Sequence, residues 1–338
     1  MLSASYVGNR TFDVGETDAA RPGRGQVQIA VAYAGICGTD LHIFHGDMDA
    51  RVRAPAVIGH EMSGTVAALG DGVSGWSVGD PVTVMPLEWD DTCPACRAGH
   101  RHICQNLVFV GIDSPGALQG RWNVRADLLV PLPEGLSLQH AALVEPVAVA
   151  VHDVRRSGLA AGDRTVVLGG GPIGVLIAVV AREAGAEVLL AEPDERRRAT
   201  AAELGFRTAD PGDLVELVQE WTGGAGADVA FEVSGAAPAV LAATDVVRVR
   251  GTVVVVAIHP QPRPMNLQRV FWRELTILGA RVYERADFER AVELLAAGVV
   301  PADAVITTVV PLTEVADAFA TLESGRAMKI LVDCGGAP

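Results

Sequence analysis

From residue 165 onward the chain repeats one pattern, a short apolar run followed by a longer stretch where apolar residues recur at helical spacing among charged ones. It predicts strands at 165–168 and 187–191, a helix at 173–184 and a charged helix at 194–204. The pattern continues with a helix at 213–221, a strand at 228–231, a helix at 238–247 and strands at 252–257 and 275–278. Strands alternating with helices predict a parallel sheet covered on both faces. Residues 25–135 read differently. Short Val-containing runs such as 26–32 and 64–68 are broken by Gly and Pro, as in antiparallel strands joined by turns. After Tyr283 the pattern predicts a helix at 288–297, a strand near 306–309, a helix at 312–322 and a strand at 328–332. This tail is placed back on the first domain. An α/β unit at roughly 150–282 is then inserted between 1–149 and 283–338, with no internal repeat.

Composition narrows the function. A chain of 338 residues is long for one core and comfortable for two domains. A formal charge of -14 repels phosphate, which excludes nucleic acid and anionic membranes as partners. The N-terminus has no signal-peptide layout, and the longest apolar run, 166–181, is interrupted by Gly169, Gly170, Gly171, Pro172 and Gly174. That run is also shorter than the ~18 residues of a membrane span, so a cytoplasmic protein is expected. Lys329 is the only lysine, and the Arg-for-Lys bias is read as base composition, with no function attached. Three of the five cysteines, Cys93, Cys96 and Cys104, are clustered, which in a reducing compartment points to metal.

The first chemistry-bearing motif is Gly169-Gly170-Gly171-Pro172-Ile173-Gly174, which fits the dinucleotide fingerprint G-x-G-x-x-G between a strand and a helix. Gly169 permits the tight turn, Gly171 the approach of a pyrophosphate and Gly174 close helix–strand packing. Glu192, at the end of the second strand, is placed to accept hydrogen bonds from the adenosine ribose and to repel a 2′-phosphate. NAD is therefore expected over NADP. Arg196, Arg197 and Arg198 follow one turn later; they either balance Asp194 and Glu195 or, with Arg197 foremost, reach the cofactor. In the first domain Cys37 and His60 are side chains that zinc prefers. Glu145, in Leu143-Val144-Glu145-Pro146, is a carboxylate in an apolar run that needs a charged partner.

Several segments together resemble the zinc-containing medium-chain alcohol dehydrogenases. They are Gly59-His60-Glu61 with Gly64, Gly70 and Val73, the hexapeptide Cys37-Gly38-Thr39-Asp40-Leu41-His42, Glu145-Pro146, and the glycine fingerprint. Within that family the chain is most similar to the sorbitol and butanediol branch, the 279–292 stretch with Tyr283, Asp287 and Phe288 being of the butanediol type. The resemblance implies a Rossmann doubly wound sheet inserted in a mainly β, GroES-like catalytic domain. It also implies a catalytic zinc on Cys37 and His60 with Glu61 or Glu145, and Asp40 orienting His60 from behind. Thr39 and His42 would carry the hydroxyl proton to solvent.

Asp90, Cys93, Cys96 and Cys104 match the family's structural-zinc lobe, near 88–106, with Asp90 where the first of four cysteines usually stands. Asp91, His100 or His102 as fourth ligand, or a metal-free lobe, are the rival readings. The expected activity is NAD-linked oxidation of a secondary alcohol (a polyol, diol or cyclitol) by a homodimer or homotetramer with two zinc ions per chain. Threonine 3-dehydrogenase activity is the nearest alternative; a zinc-independent quinone or enoyl reductase, or a non-catalytic nucleotide-binding protein, would lack the metal ligands. Val282 and Ile43 stand where sorbitol enzymes carry arginine and tyrosine, which argues against sorbitol. Trp89, Trp122 and Trp272 are pocket candidates.

Overall fold

Strands rich in Val, Leu and Ala with few charges must be covered on both faces, and six of them form one parallel sheet in the computed structural model, which describes residues 1–335. Their spatial order is Arg207–Ala209, Glu187–Ala191, Arg164–Leu168, Ala227–Glu232, Val247–Val255 and Thr276–Gly279. Numbered along the chain this is 3-2-1-4-5-6, the doubly wound dinucleotide-binding order. Val166 sits opposite Leu189 on one side and Ala230 on the other, both pairings parallel. The core between sheet and helices is Val166, Leu168, Leu189, Leu214, Val218, Val246 and Val253 with their neighbours.

This sheet belongs to a compact unit comprising Pro146–Tyr283 and Val299–Pro301; a second unit comprises Met1–Glu145, Glu284–Gly298 and Ala302–Pro338. Residues 336–338, at the end of the expected 283–338 tail, lie outside the described residues. The other unit is built on a seven-stranded mixed sheet. In it Gln26–Gly35 pairs antiparallel with Glu61–Leu69, Arg121–Arg125 and Lys329–Asp333. Lys329–Asp333 also takes Ile306–Pro311 as a parallel neighbour.

An N-terminal hairpin, Leu2–Gly8 with Thr11–Glu16, was not among the expected elements. Its Tyr6 and Phe12 pack with Phe44 and Phe319, ring centroids 4.8–6.5 Å apart, and so anchor the helix Gly38–Phe44. Two other differences have local causes. The strand expected from 252 begins at Val247, because exposed Arg248 and Arg250 interrupt its apolar pattern and Arg250 turns to φ 59°. The helix Leu267–Trp272, capped by Asn266, buries none of its residues and so lacks the buried stripe that periodicity detects. Among the described residues no helix is long and apolar enough to cross a membrane.

Candidate active site and metal centres

The turn after Gln26–Gly35 carries the first group of candidate residues. Asp40, in the first turn of the helix Gly38–Phe44, accepts a 2.9 Å hydrogen bond from the Cys37 backbone N–H, which fixes Cys37 at the helix entrance. His60 precedes and Glu61 opens the next strand, Glu61–Leu69. Ligand atoms of Cys37, His60 and Glu61 lie within 4.8 Å of one another. Glu145 is 4% exposed in the first turn of the helix Val144–Ser157 and lies outside that tight set. Its charge nevertheless acts on both His60 and Lys329.

The electrostatics of this cluster call for a cation. Burial alone would push the His60 imidazole down, but the negative charges of Asp40 and Cys37 prevail and hold it at about 10. Burial pushes the Asp40 carboxyl up. His60 Nδ1 stands 3.7 Å from Asp40 Oδ1, beyond hydrogen-bond length, and neither atom has another partner among the described residues. A thiol, an imidazole and buried carboxylates in such a field are a donor set that suits zinc. Lys329, to which the sequence assigned nothing, meets the cluster from the strand Lys329–Asp333. Its Nζ donates to Glu61 Oε1 at 2.8 Å and Oε2 at 2.6 Å.

Thr39 is half-buried in the helix Gly38–Phe44, and His42 Nδ1 is 3.2 Å from Asp47 Oδ2 at the exposed side of the same helix. Ile43, which stands where sorbitol enzymes carry tyrosine, and Tyr283 are fully buried. Trp122 is also core, its indole N–H donating to the Pro115 carbonyl; Trp89 packs on the cysteine cluster and Trp272 is exposed.

The lobe brings Asp90, Cys93, Cys96 and Cys104 together, again within 4.8 Å. Backbone N–H groups of Cys96 and Gln105 point at Cys93 Sγ, and that of Asn106 at Cys104 Sγ. The first two hold the Cys93 thiol below its usual range, whereas burial pushes Cys96 up to about 12. Without a cation such a pocket accommodates few thiolates, and a divalent ion would let all three ionise. Asn106 and the backbone of Cys93 and Thr92 hold the Asp90 carboxyl well below the carboxylate range. The rival ligands face elsewhere: Asp91 pairs with Arg101 at 2.6 Å, His102 approaches Glu284 at 3.5 Å, and neither these two nor His100 joins the set.

In the other unit the glycine fingerprint follows the strand Arg164–Leu168 and opens the helix Pro172–Glu183, with Pro172 and Ile173 in its first turn. Gly169 has φ 122°, open only to glycine. A side chain on Gly174 would strike the Gly169 carbonyl, whereas one on Gly171 would meet nothing within 4 Å. That empty edge lies where the fingerprint places a pyrophosphate. Glu192 accepts from Gly170 N–H at 2.7 Å and Asp194 N–H at 2.9 Å, which ties its carboxylate to the fingerprint loop. Arg198 is spent on the Glu192 and Pro193 carbonyls and Asp210. Arg197 gives its backbone N–H to the Asp194 cap.

Comparison with known proteins gives two family matches, alcohol dehydrogenase GroES-like domain over residues 23–134 and zinc-binding dehydrogenase over 172–297. A 2-dehydro-3-deoxy-L-galactonate 5-dehydrogenase of Pseudoalteromonas atlantica is 52% identical over 337 residues, covering 99% of both chains. A sorbitol dehydrogenase of Halalkalibacterium halodurans is 35% identical, covering 96% of both. The crystal structure of 2R,3R-butanediol dehydrogenase from Bacillus subtilis superposes with a TM-score of 0.92 at 32% identity, covering 98% of this chain and 99% of that one.

Proposed function

This chain belongs to the zinc-binding alcohol dehydrogenase family, and from that membership we propose that it oxidises a secondary hydroxyl of a sugar acid or polyol to a ketone, with NAD as hydride acceptor. The observation that carries the chemistry is the convergence of Cys37, His60 and Glu61 within 4.8 Å. The substrate class follows the relative at 52% identity, whose name specifies a sugar acid. When bound, zinc supplies a Lewis acid for the alcohol oxygen and NAD the hydride acceptor.

The chain's own residues do the rest. Cys37 and His60, with Glu61 or Glu145, hold the metal, and Asp40 steadies the His60 ring. Thr39 takes the hydroxyl proton at its Oγ1, and His42 delivers it to solvent through its imidazole. Gly169, Gly171, Pro172, Ile173 and Gly174 seat the pyrophosphate at the helix start. Glu192 accepts from the ribose hydroxyls through lone pairs left over from its two backbone bonds, and Arg197 lines the same side. The catalytic domain comprises 1–149 and 283–338, the NAD domain 150–282. Asp90 completes a second zinc site with Cys93, Cys96 and Cys104.

A homodimer or homotetramer in the cytoplasm is the proposed state. Exposed Leu267, Phe271 and Trp272 beside the unpaired outer edge of Thr276–Gly279 favour self-association.

The test follows NADH absorbance with 2-dehydro-3-deoxy-L-galactonate, sorbitol, 2,3-butanediol and threonine. The sugar acid should give the highest kcat/KM, and Cys37→Ser should abolish turnover while NADH affinity stays within a few-fold. Preference for threonine would overturn the substrate class. Undiminished turnover in Cys37→Ser would overturn the metal chemistry.

A further inference from the structure

The glycine fingerprint leaves the strand Arg164–Leu168, and Glu192 follows the neighbouring strand Glu187–Ala191 on one side of it. On the other side Glu232 ends the strand Ala227–Glu232, in register with Leu168 of the fingerprint strand and with Val255 of the strand beyond. It is 1% exposed. Its Oε1 accepts from the Ser234 N–H at 3.1 Å, the Ser234 hydroxyl at 2.9 Å and the Gly235 N–H at 2.8 Å. A Cβ on Gly169 would lie 3.2 Å from Ser234, so this loop borders the fingerprint turn. The N–H groups of Val256 and Ala257 both donate to the Glu232 carbonyl, which brings the loop after Val247–Val255 to the same place.

Oε1 alone fastens the loop. Oε2 is buried and has no hydrogen bond among the described residues; the one basic group that reaches it is His259 Nε2, at 3.1 Å but without hydrogen-bond geometry. His259 Nδ1 is buried without an acceptor as well, so a second ring proton would have nothing to bond. The pair therefore keeps the negative charge of the carboxylate, and a buried carboxylate without a counter-charge is costly. Glu192 has no such remainder, since each of its oxygens takes a backbone N–H.

A dinucleotide lies across the carboxyl edge of a doubly wound sheet, its pyrophosphate on the fingerprint and a nucleoside to either side. With the adenosine half assigned to Glu192, the nicotinamide half falls to the side of Glu232. Oxidised nicotinamide carries a positive charge and the reduced ring does not. We propose that Glu232, backed by His259, is a specificity-determining residue for the redox state of the cofactor, its uncompensated charge favouring NAD over NADH. The inference rests on the NAD-linked reading and deepens it. Such a bias serves oxidation, because the NADH formed leaves a site that holds it less tightly.

The experiment titrates the zinc-loaded protein with NADH, read by the fluorescence of the bound cofactor, and with NAD by competition against NADH in the same buffer. Glu232→Gln keeps the size of the side chain and an acceptor for the Ser234–Gly235 loop while removing the charge. It should weaken NAD about tenfold, the scale of a unit-charge attraction across roughly 10 Å of protein, and leave NADH within about twofold. His259→Lys cancels the charge in the opposite way, by setting an ammonium against Oε2. It should lower the preference for NAD by a similar factor, and it stands in where Glu232→Gln does not fold. A carboxylate that merely clamped the loop would behave otherwise: Glu232→Gln would weaken both forms alike, and His259→Lys would leave their ratio unchanged. A ratio of NAD to NADH affinity unchanged in either folded variant would overturn the proposal and leave the dehydrogenase reading intact. A wild-type protein that binds neither form would overturn both.

Discussion

Two single side chains make sharp demands on solution behaviour. Glu192, the proposed acceptor for the ribose hydroxyls, has its carboxylate tied to Gly170 and Asp194. Glu192→Ala should lower kcat/KM for NAD roughly 10- to 100-fold, the worth of charge-assisted hydrogen bonds, and lower that for NADP far less. A wild-type kcat/KM higher with NADP would show that the arginines after Glu192 decide the cofactor. His42, paired with Asp47 on the outer side of its helix, is the proposed exit for the proton. His42→Ala should slow oxidation on the order of 10²-fold near neutral pH and recover where hydroxide takes over; an unchanged pH–rate profile would assign His42 to packing. Cys37, His60 and Glu61 were legible because each sits in a short motif. Lys329 was not, because its partner is 268 positions away. One signal was available: a lone lysine opening the apolar run Ile330-Leu331-Val332 needs a buried anion, as Glu145 needs a cation.

Among the elements, the cysteine lobe is the one whose order depends most on a ligand. Its buried residues are largely the cysteines themselves, with Trp89, Ala95 and Leu107 packed around them, so metal binding should supply much of its folding free energy. Asp90→Ala should release the second zinc and lower Tm by a few degrees while sparing turnover at the Cys37 site. Asp90→Cys should slow zinc loss to chelators, since thiolate is the softer ligand. A zinc count unchanged in Asp90→Ala would remove Asp90 from the site. The spacing of Cys93, Cys96 and Cys104 made this lobe readable, yet Asn106, which holds the Asp90 carboxylate by its side-chain amide, carried no such mark. The six parallel strands were legible for a different reason, since strands buried on both faces leave uninterrupted apolar runs. The hairpin Leu2–Gly8 and Thr11–Glu16 leaves about half its residues exposed and buries the consecutive Ser3 and Ala4 as well as Tyr6, which breaks the alternation.

At the scale of the whole molecule, the exposed pair Phe271 and Trp272, each 73% accessible, is the surface feature least suited to a monomer. Trp272→Glu should shift the mass found by light scattering towards the single chain and leave zinc content unchanged. A wild-type protein that is monomeric at micromolar concentration would refute self-association. The means of looking is constrained by a feature already described. With the chain's one lysine enclosed against Glu61, the folded surface offers amine-directed reagents no lysine side chain at all. Bis-succinimidyl cross-linkers would leave even a tight assembly largely unlinked, aldehyde resins would hold it poorly, and trypsin would digest the unfolded chain almost wholly as an arginine protease. Labelling, tethering and mass mapping of this protein therefore belong to carboxylate and arginine chemistry.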